Sequence, residues 1–93
     1  MSKNEIRVKV ISVGETKEFG DNGFKKRELI TQTDGEYVDF FCFEFVKDKV
    51  DLLDTILPDT YVTVHYNLRG RKWEKEGQDT KYFTSLQGWK IEA

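Results

Sequence analysis

Apolar side chains recur at every second position in several short segments of this chain, which is the spacing of β-strands that bury one face. In residues 5–13, for example, Ile6, Val8 and Val10 alternate with charged Arg7 and Lys9. The same kind of pattern predicts five strands, at residues 5–13, 24–33, 37–46, 61–69 and 81–91.

Turn-forming residues separate these segments. Asp21, Asn22 and Gly23 tolerate positive φ, so residues 15–23 are expected to form a flexible loop after the first strand. Asp34 followed by Gly35 predicts a tight hairpin turn. A polar loop is expected at residues 70–80, and the broken alternation near Gly88 predicts a β-bulge in the fifth strand.

The third predicted strand carries phenylalanine on both of its faces. Phe41, Phe43 and Phe45 share one parity and are expected to face the core, whereas Phe40 and Val46 fall on the opposite face. An outward-facing phenylalanine fits either a base-stacking surface or a subunit interface, and both interpretations of Phe40 stay open at this point.

One short helix is predicted, at residues 47–57. Val50, Leu53 and Leu57 lie three and four positions apart, Ile56 widens the apolar stripe, and Pro58 ends the helix because proline cannot continue its hydrogen bonds. Three acidic residues are expected on its solvent face: Asp48, Asp51 and Asp54.

Three strands, a short helix and two further strands are the element order of the OB-fold, a five-stranded Greek-key barrel with a helix between strands three and four. An SH3-like barrel has no helix at that place. We therefore predict an all-β chain that forms one OB-fold domain over residues 1–93. Its working surface would be the outer face of strands two and three, flanked by the loops at residues 15–23 and 70–80.

Composition narrows the chemistry. The formal net charge of -2 means that an anionic partner must be held by a local basic patch, and aromatic residues, at 14%, supply ample core material.

The single Cys42 cannot form an internal disulfide, and with one histidine, His65, no cluster has metal-ligand spacing. Trp89 is expected in the core and His65 on the surface. No apolar segment approaches the length of a membrane span, so we expect a soluble intracellular protein.

Catalytic motifs are missing from the sequence. Cys42 and His65 have no accompanying nucleophile motif, and no glycine-rich phosphate loop is present. The three aspartates of the predicted helix are better explained as a solvated face than as metal ligands, because no other oxygen ligands accompany them. We therefore expect neither an enzyme nor a cofactor or metal site.

Several segments resemble a known family. They are residues 24–29 (Phe-Lys-Lys-Arg-Glu-Leu), residues 43–51, Tyr82-Phe83-Thr84 and Trp89-Lys90-Ile91. Together they look like a small bacterial and phage family that is filed as a domain of unknown function and is similar to single-stranded DNA-binding proteins. The resemblance implies an OB-fold that binds single-stranded DNA, or RNA, in a bacterial or phage-infected cytoplasm, with a role in DNA replication. It also places Phe40 at a base-stacking position, whereas Val46 departs from the family's aromatic pattern.

Single strands are bound by cations that follow the phosphates and by aromatic rings that stack on bases. Both residue types cluster on the second strand and around the last loop, where five cations outnumber three anions over residues 69–82. The predicted nucleic-acid-binding residues are Phe24, Lys25, Lys26, Arg27, Phe40, Arg69, Arg71, Lys72, Trp73, Lys81 and Tyr82.

Plainer roles remain open for several of these residues. Residues 25–27 could be the solvated start of an edge strand, and Trp73 could pack on Tyr82. Two functions therefore compete. One is a homodimer or higher homo-oligomer that binds single strands with little sequence preference. The other is a protein-interaction or assembly adaptor that buries Phe40 and Val46 against a partner.

Overall fold

The computed structural model describes residues 4–20 and 23–93. Its elements, in chain order, are β1 (Glu5–Val13), β2 (Lys17–Phe19), β3 (Phe24–Gln32), β4 (Phe40–Val46), a 3₁₀ helix (Lys47–Leu53), β5 (Tyr61–Trp73) and β6 (Lys81–Glu92). The predicted strands two to five thus correspond to β3, β4, β5 and β6.

The sheet closes on itself through β1. Its strand order is β1-β5-β6-β4-β3-β2, and β1 pairs with β3 as well as with β5. All of these pairs are antiparallel except β4 with β6, which run parallel at Phe43 opposite Leu86. The result is a closed barrel of five strands with one short helix between β4 and β5, and the predicted all-β OB-fold is confirmed.

The barrel interior is filled by the inward residues of alternating strands. Phe43 and Phe45 are fully buried as predicted, and Phe41 is partly buried against the same cluster. Valines and leucines complete the core: Val8, Val10, Leu29, Leu53, Val62 and Val64. Because β-branched and aromatic side chains pack well on a pleated surface, the period-two pattern of the sequence translates directly into this core.

Residues 15–23 are not the plain loop that the sequence predicts. Lys17–Phe19 forms β2, which pairs antiparallel with the start of β3 so that Phe19 lies opposite Phe24. Gly20 and Gly23, at the ends of the connection, have the positive φ that favours glycine. Asp21 and Asn22, on which the turn prediction partly rests, lie outside the described residues.

The connection between β3 and β4 is longer than the predicted tight turn. β3 ends at Gln32 and β4 begins at Phe40, later than the predicted start at residue 37. The Thr33 amide donates to the Asp39 carbonyl at 2.9 Å, and the Asp39 amide donates to the Thr33 hydroxyl at 2.9 Å. These bonds close a wide connection, so Asp34 and Gly35 do not form a two-residue hairpin.

The predicted helix is shorter and more tightly wound than expected. As a 3₁₀ helix it repeats every three residues, which buries Val50 and Leu53 and brings Ile56 against the core. Leu57 is 64% exposed, so its predicted place in the apolar stripe is wrong. All three aspartates that were predicted to face solvent are exposed, and Asp54 forms an ion pair with Arg27.

The hairpin of β5 and β6 extends past the barrel, because β5 continues to Trp73 rather than ending at residue 69. A register shift between His65 and Tyr66 leaves Trp89 as an extra residue beside Gly88, which confirms the predicted bulge. Trp89 is 42% exposed, so its predicted place in the core is wrong.

His65 was expected at the surface, and this is wrong too, since it is 8% exposed. Its ring packs against that of Trp89 at 5.3 Å, and its nitrogens lie 3.5 Å from a Glu5 carboxylate oxygen and 3.3 Å from one of Glu92.

Candidate nucleic-acid interface

An open groove crosses the end of β4, between the β2–β3 hairpin and the β5–β6 hairpin. Its volume is about 640 Å³. Three phenylalanines and three cations line it together with one acid, which gives the lining a local net charge of +2 although the chain carries -2. The charged and aromatic lining residues are Phe19, Phe24, Phe83, Lys26, Arg69, Arg71 and Glu44.

The first wall is built by the β2–β3 hairpin. Pairing of Phe19 with Phe24 sets two aromatic rings side by side at its tip, 49% and 39% exposed. Phe24 was predicted as a site residue, and Phe19 was missed because it fell in a predicted loop. A hairpin placed symmetrically around residues 20–23 would have paired these two rings from the sequence alone.

The second wall is built by the β5–β6 hairpin. Arg69 lies opposite Ser85 and Arg71 opposite Phe83, so strand alternation puts both arginines and the phenylalanine on one face. Phe83 is 55% exposed. The sequence prediction includes the arginines but misses Phe83, because the register of the two strands cannot be read from the sequence.

The floor of the groove is polar. The Lys26 ammonium lies 3.0 Å from a Glu44 carboxylate oxygen. Glu28 sits directly opposite Glu44 on the neighbouring strand and lines an adjoining cleft rather than the groove itself. The Cys42 thiol donates to a Glu28 oxygen at 3.1 Å. Lys26 was predicted as a phosphate contact, and in the folded protein it shares its charge with Glu44.

The surroundings of Cys42 keep its thiol in the neutral form. Burial of its sulfur against the sheet, the hydrogen bond to Glu28 and the charges of Glu28 and Glu44 raise the pKa of Cys42 to about 12. The residue as a whole is exposed, but its thiol stays protonated near neutral pH and remains a hydrogen-bond donor.

Two of the predicted cations on β3 do not reach the groove. Arg27 donates to the Gly14 carbonyl at 2.7 Å, to the Val50 carbonyl at 3.3 Å and to Asp54 at 2.7 Å. Its side chain is only 16% exposed, so Arg27 ties the barrel to the helix and does not line the groove. Lys25 has the same parity and lines a separate cleft beside the 3₁₀ helix.

The outer part of the β5–β6 hairpin divides the remaining predicted residues between two faces. Trp73 pairs with Lys81, whose ammonium lies 5.7 Å from the centre of the indole ring, and both share the face of Arg71. Lys72 and Tyr82 pair with each other on the opposite face. Trp73 therefore has Lys81, not Tyr82, as its neighbour, and Lys72 is engaged by Glu74 at 2.8 Å.

Phe40 lies at the other end of the outer sheet face. It is 67% exposed and sits opposite Gln32. Val46 in the groove lies six positions further along β4, which corresponds to about 20 Å along a strand. Four of the predicted residues therefore line the groove, namely Phe24, Lys26, Arg69 and Arg71, and the other seven lie outside its lining.

Across residues 4–20 and 23–93, no group of histidine, cysteine, aspartate and glutamate side chains is arranged to hold a metal ion. No helix in the same part of the chain has the length and apolar character needed to cross a membrane.

Solved structures with the same architecture include proteins of three different sources. The SSB domain of a Synechococcus protein is 16% identical, with a TM-score of 0.74 over 100% of this chain and 96% of that one. The Plasmodium falciparum SSB in complex with ssDNA is 20% identical, with a TM-score of 0.69 over 99% and 93%. A mitochondrial single-stranded DNA binding protein from S. cerevisiae is 13% identical, with a TM-score of 0.62 over 98% and 94%.

Because the sequence identities are 20% or less, these similarities establish the fold alone. A search of curated proteins gives no match. The sequence model of one family, described as a domain of unknown function, matches residues 5–92, almost the whole chain. This chain therefore belongs to the family of the domain of unknown function DUF3127.

Proposed function

We propose that this protein binds single-stranded DNA, without reading a defined sequence, in the groove between its two hairpins. The observation that carries the proposal is the composition of that groove: exposed Phe19, Phe24 and Phe83 next to Arg69 and Arg71. Aromatic rings that stack on bases and cations that contact phosphates are the two parts of a single-strand site. The likeness in fold to an SSB solved with ssDNA supports this choice of ligand.

In the proposed complex the bases stack on the phenylalanine rings, and the phosphates lie against the arginine wall. Each stacked base contributes about 1–3 kcal/mol. Arg69 and Arg71 have no partner among the ion pairs of the described residues, whereas Lys26 is shared with Glu44. Two free cations neutralise two phosphates, which corresponds to a slope of about -1.4 in log affinity against log salt concentration.

The direct test is fluorescence anisotropy with a labelled 15-nucleotide DNA of mixed sequence, at about 50 mM salt. We expect binding tighter than about 100 μM, the weak end of ordinary non-specific association. Duplex DNA of the same sequence should bind more weakly, because its bases are not free to stack. Binding weaker than about 100 μM, or equal affinity for the duplex, would contradict the proposal.

A double variant, Arg69→Ala with Arg71→Ala, should weaken binding and flatten the salt dependence. The matched control is Arg7→Ala, which removes an exposed arginine from the outer face of β1, where it contacts Thr63 and not the groove. An equal loss of affinity in both proteins would mean that the arginines act through overall charge only. The affinity for an RNA oligonucleotide of the same sequence, measured in the same assay, gives the preference between DNA and RNA.

A protein-interaction adaptor is the second candidate, and exposed apolar groups at the far end of the sheet favour it. Phe40 is 67% exposed and Tyr37 is 82% exposed. An adaptor predicts that oligonucleotides leave the melting temperature unchanged and that Phe40→Ala alters assembly more than nucleic-acid affinity.

We also propose a homodimer. Within the described ranges, the first half of β1, up to Val8, pairs with β5 along one edge, and its pairing with β3 begins only at Lys9. An unpaired strand edge can accept the same strand of a second copy. Light scattering after size exclusion measures the mass of the particle directly, and a monomer at micromolar concentration would rule the dimer out.

A further inference from the structure

The outer face of β3 and β4 carries two neighbouring carboxylates, of which Glu44 lines the groove and Glu28 lines the adjoining cleft. Glu28 and Glu44 are register partners across this strand pair, so their Cβ atoms are about 5 Å apart. Like charges directly opposite each other destabilise a sheet. The Glu28–Glu44 pair therefore costs stability, and its place beside the groove indicates a role in ligand binding.

Both carboxylates are held in place by a neighbour on the other strand. Lys26 binds Glu44 at 3.0 Å, and the Cys42 thiol donates to Glu28 at 3.1 Å. A carboxylate offers about four lone-pair sites, so each retains free acceptor capacity after this one contact. Since the thiol is neutral, Glu28, Glu44 and Lys26 give this floor and the adjoining cleft a net charge of -1, although the groove lining as a whole carries +2 through Arg69 and Arg71.

A phosphate would be repelled from such a floor, and the free cations stand on the β5–β6 wall instead. The phosphates of a bound strand therefore belong beside Arg69 and Arg71, with the bases turned toward Glu44, which lines the same groove. The atoms that meet the carboxylates are then the hydrogen-bonding edges of the bases.

We propose that Glu44, assisted by Glu28, makes this site prefer bases with an exocyclic amino group over thymine. This inference rests on the proposed function. Cytosine presents its N4 amino group as a donor that carboxylates accept, a pairing known from base recognition by glutamate and aspartate. Thymine presents two carbonyl oxygens, and its single N–H lies between them, so an approaching carboxylate is repelled from both sides.

The test compares affinity for a 12-nucleotide oligo-dC and a 12-nucleotide oligo-dT, at pH 8 and equal salt. The wild-type protein should bind oligo-dC about fivefold tighter or more, the lower end of the discrimination that a good base contact provides. The double variant Glu28→Gln with Glu44→Gln should bring the ratio close to one, mainly through tighter binding of oligo-dT.

The matched control is Asp48→Asn with Asp51→Asn, which removes two negative charges from the exposed face of the 3₁₀ helix, away from the groove floor. This control variant should keep the wild-type ratio of the affinities for oligo-dC and oligo-dT. The melting temperature of the Glu28 and Glu44 variant should not fall, because the change removes a repulsion, so a folding defect cannot account for the result.

Three outcomes overturn the inference. Equal or tighter wild-type binding of oligo-dT would remove it while leaving the proposed function intact. Equal tightening of both oligonucleotides in the double variant would show that the carboxylates act by repelling phosphates alone or by restraining Lys26. If neither oligonucleotide binds, the proposed function fails and the base preference fails with it.

Discussion

Replacement of Gly88 by alanine tests how the core fixes the hairpin that carries the arginine wall. Gly88 is buried at the bulge of β6, and a Cβ built on it would overlap three carbons of the Phe45 ring. Phe45 is itself fully buried, so the ring has no solvent-filled space into which it can move. Only a residue without a side chain lets β6 approach this ring.

The cost follows from two opposing terms. Overpacking of a well-filled core costs about 1–3 kcal/mol or more. The loss of glycine's freedom in the unfolded chain offsets about 0.4–1 kcal/mol of this. We expect the free energy of unfolding to fall by about 2 kcal/mol, which for a domain of this size lowers the melting temperature by about 10 °C.

Urea unfolding followed by circular dichroism measures this change. The matched control is Gly70→Ala in the paired strand β5, where a Cβ meets open space, and its stability should stay within about 0.5 kcal/mol of wild type. Phe45→Leu in the Gly88→Ala background should show a coupling energy of about 0.5–3 kcal/mol, because the smaller side chain relieves the overlap. Equal stabilities of the Gly88 and Gly70 variants would refute the packing explanation.

Four further predictions concern the groove and its surroundings. Arg27→Met should lower the free energy of unfolding by about 2 kcal/mol, because it leaves two carbonyls and a carboxylate without their charged donor, yet weaken oligonucleotide binding no more than Arg7→Ala. Cys42 should react with iodoacetamide at pH 8 at least roughly a hundredfold more slowly than an ordinary thiol, since its pKa of about 12 leaves little thiolate, and Glu28→Gln should speed the reaction. The same raised pKa stabilises the fold below pH 9 and ceases to do so as pH rises toward 12, a loss that Cys42→Ser should remove in alkaline unfolding curves. Phe83→Ala should weaken binding by about 1–3 kcal/mol with little change in melting temperature, because the ring is 55% exposed.

The amino-acid sequence by itself determined the architecture. Alternating apolar positions placed four of the five barrel strands within a few residues of their observed bounds, and the parity of Phe41, Phe43 and Phe45 identified the core face of β4. These features are local, because a strand that buries one face repeats every two residues whatever its neighbours do. The element order then sufficed to predict the OB-fold.

The tertiary structure decided which of the predicted cations and aromatics share a surface. Strand pairing brought Phe19 beside Phe24 and Phe83 beside Arg71. The first pair requires β2 to be recognised as a strand, and the second requires the register of β5 and β6. The direction of Arg27 also depends on three partners that are far away in the chain. Neighbouring positions on a strand point to opposite faces, so adjacent cations such as Lys25 and Lys26 reach different clefts.

Burial of polar residues was likewise beyond the sequence pattern. His65 falls on the polar face of β5, yet a bulge one residue away brings Trp89 across its ring, and the two strands that flank β5 supply Glu5 and Glu92. Hydrophobic periodicity describes one strand at a time, whereas burial and charge pairing depend on which strands meet. The fold could therefore be predicted from local spacing, and the groove became visible only once the barrel had closed.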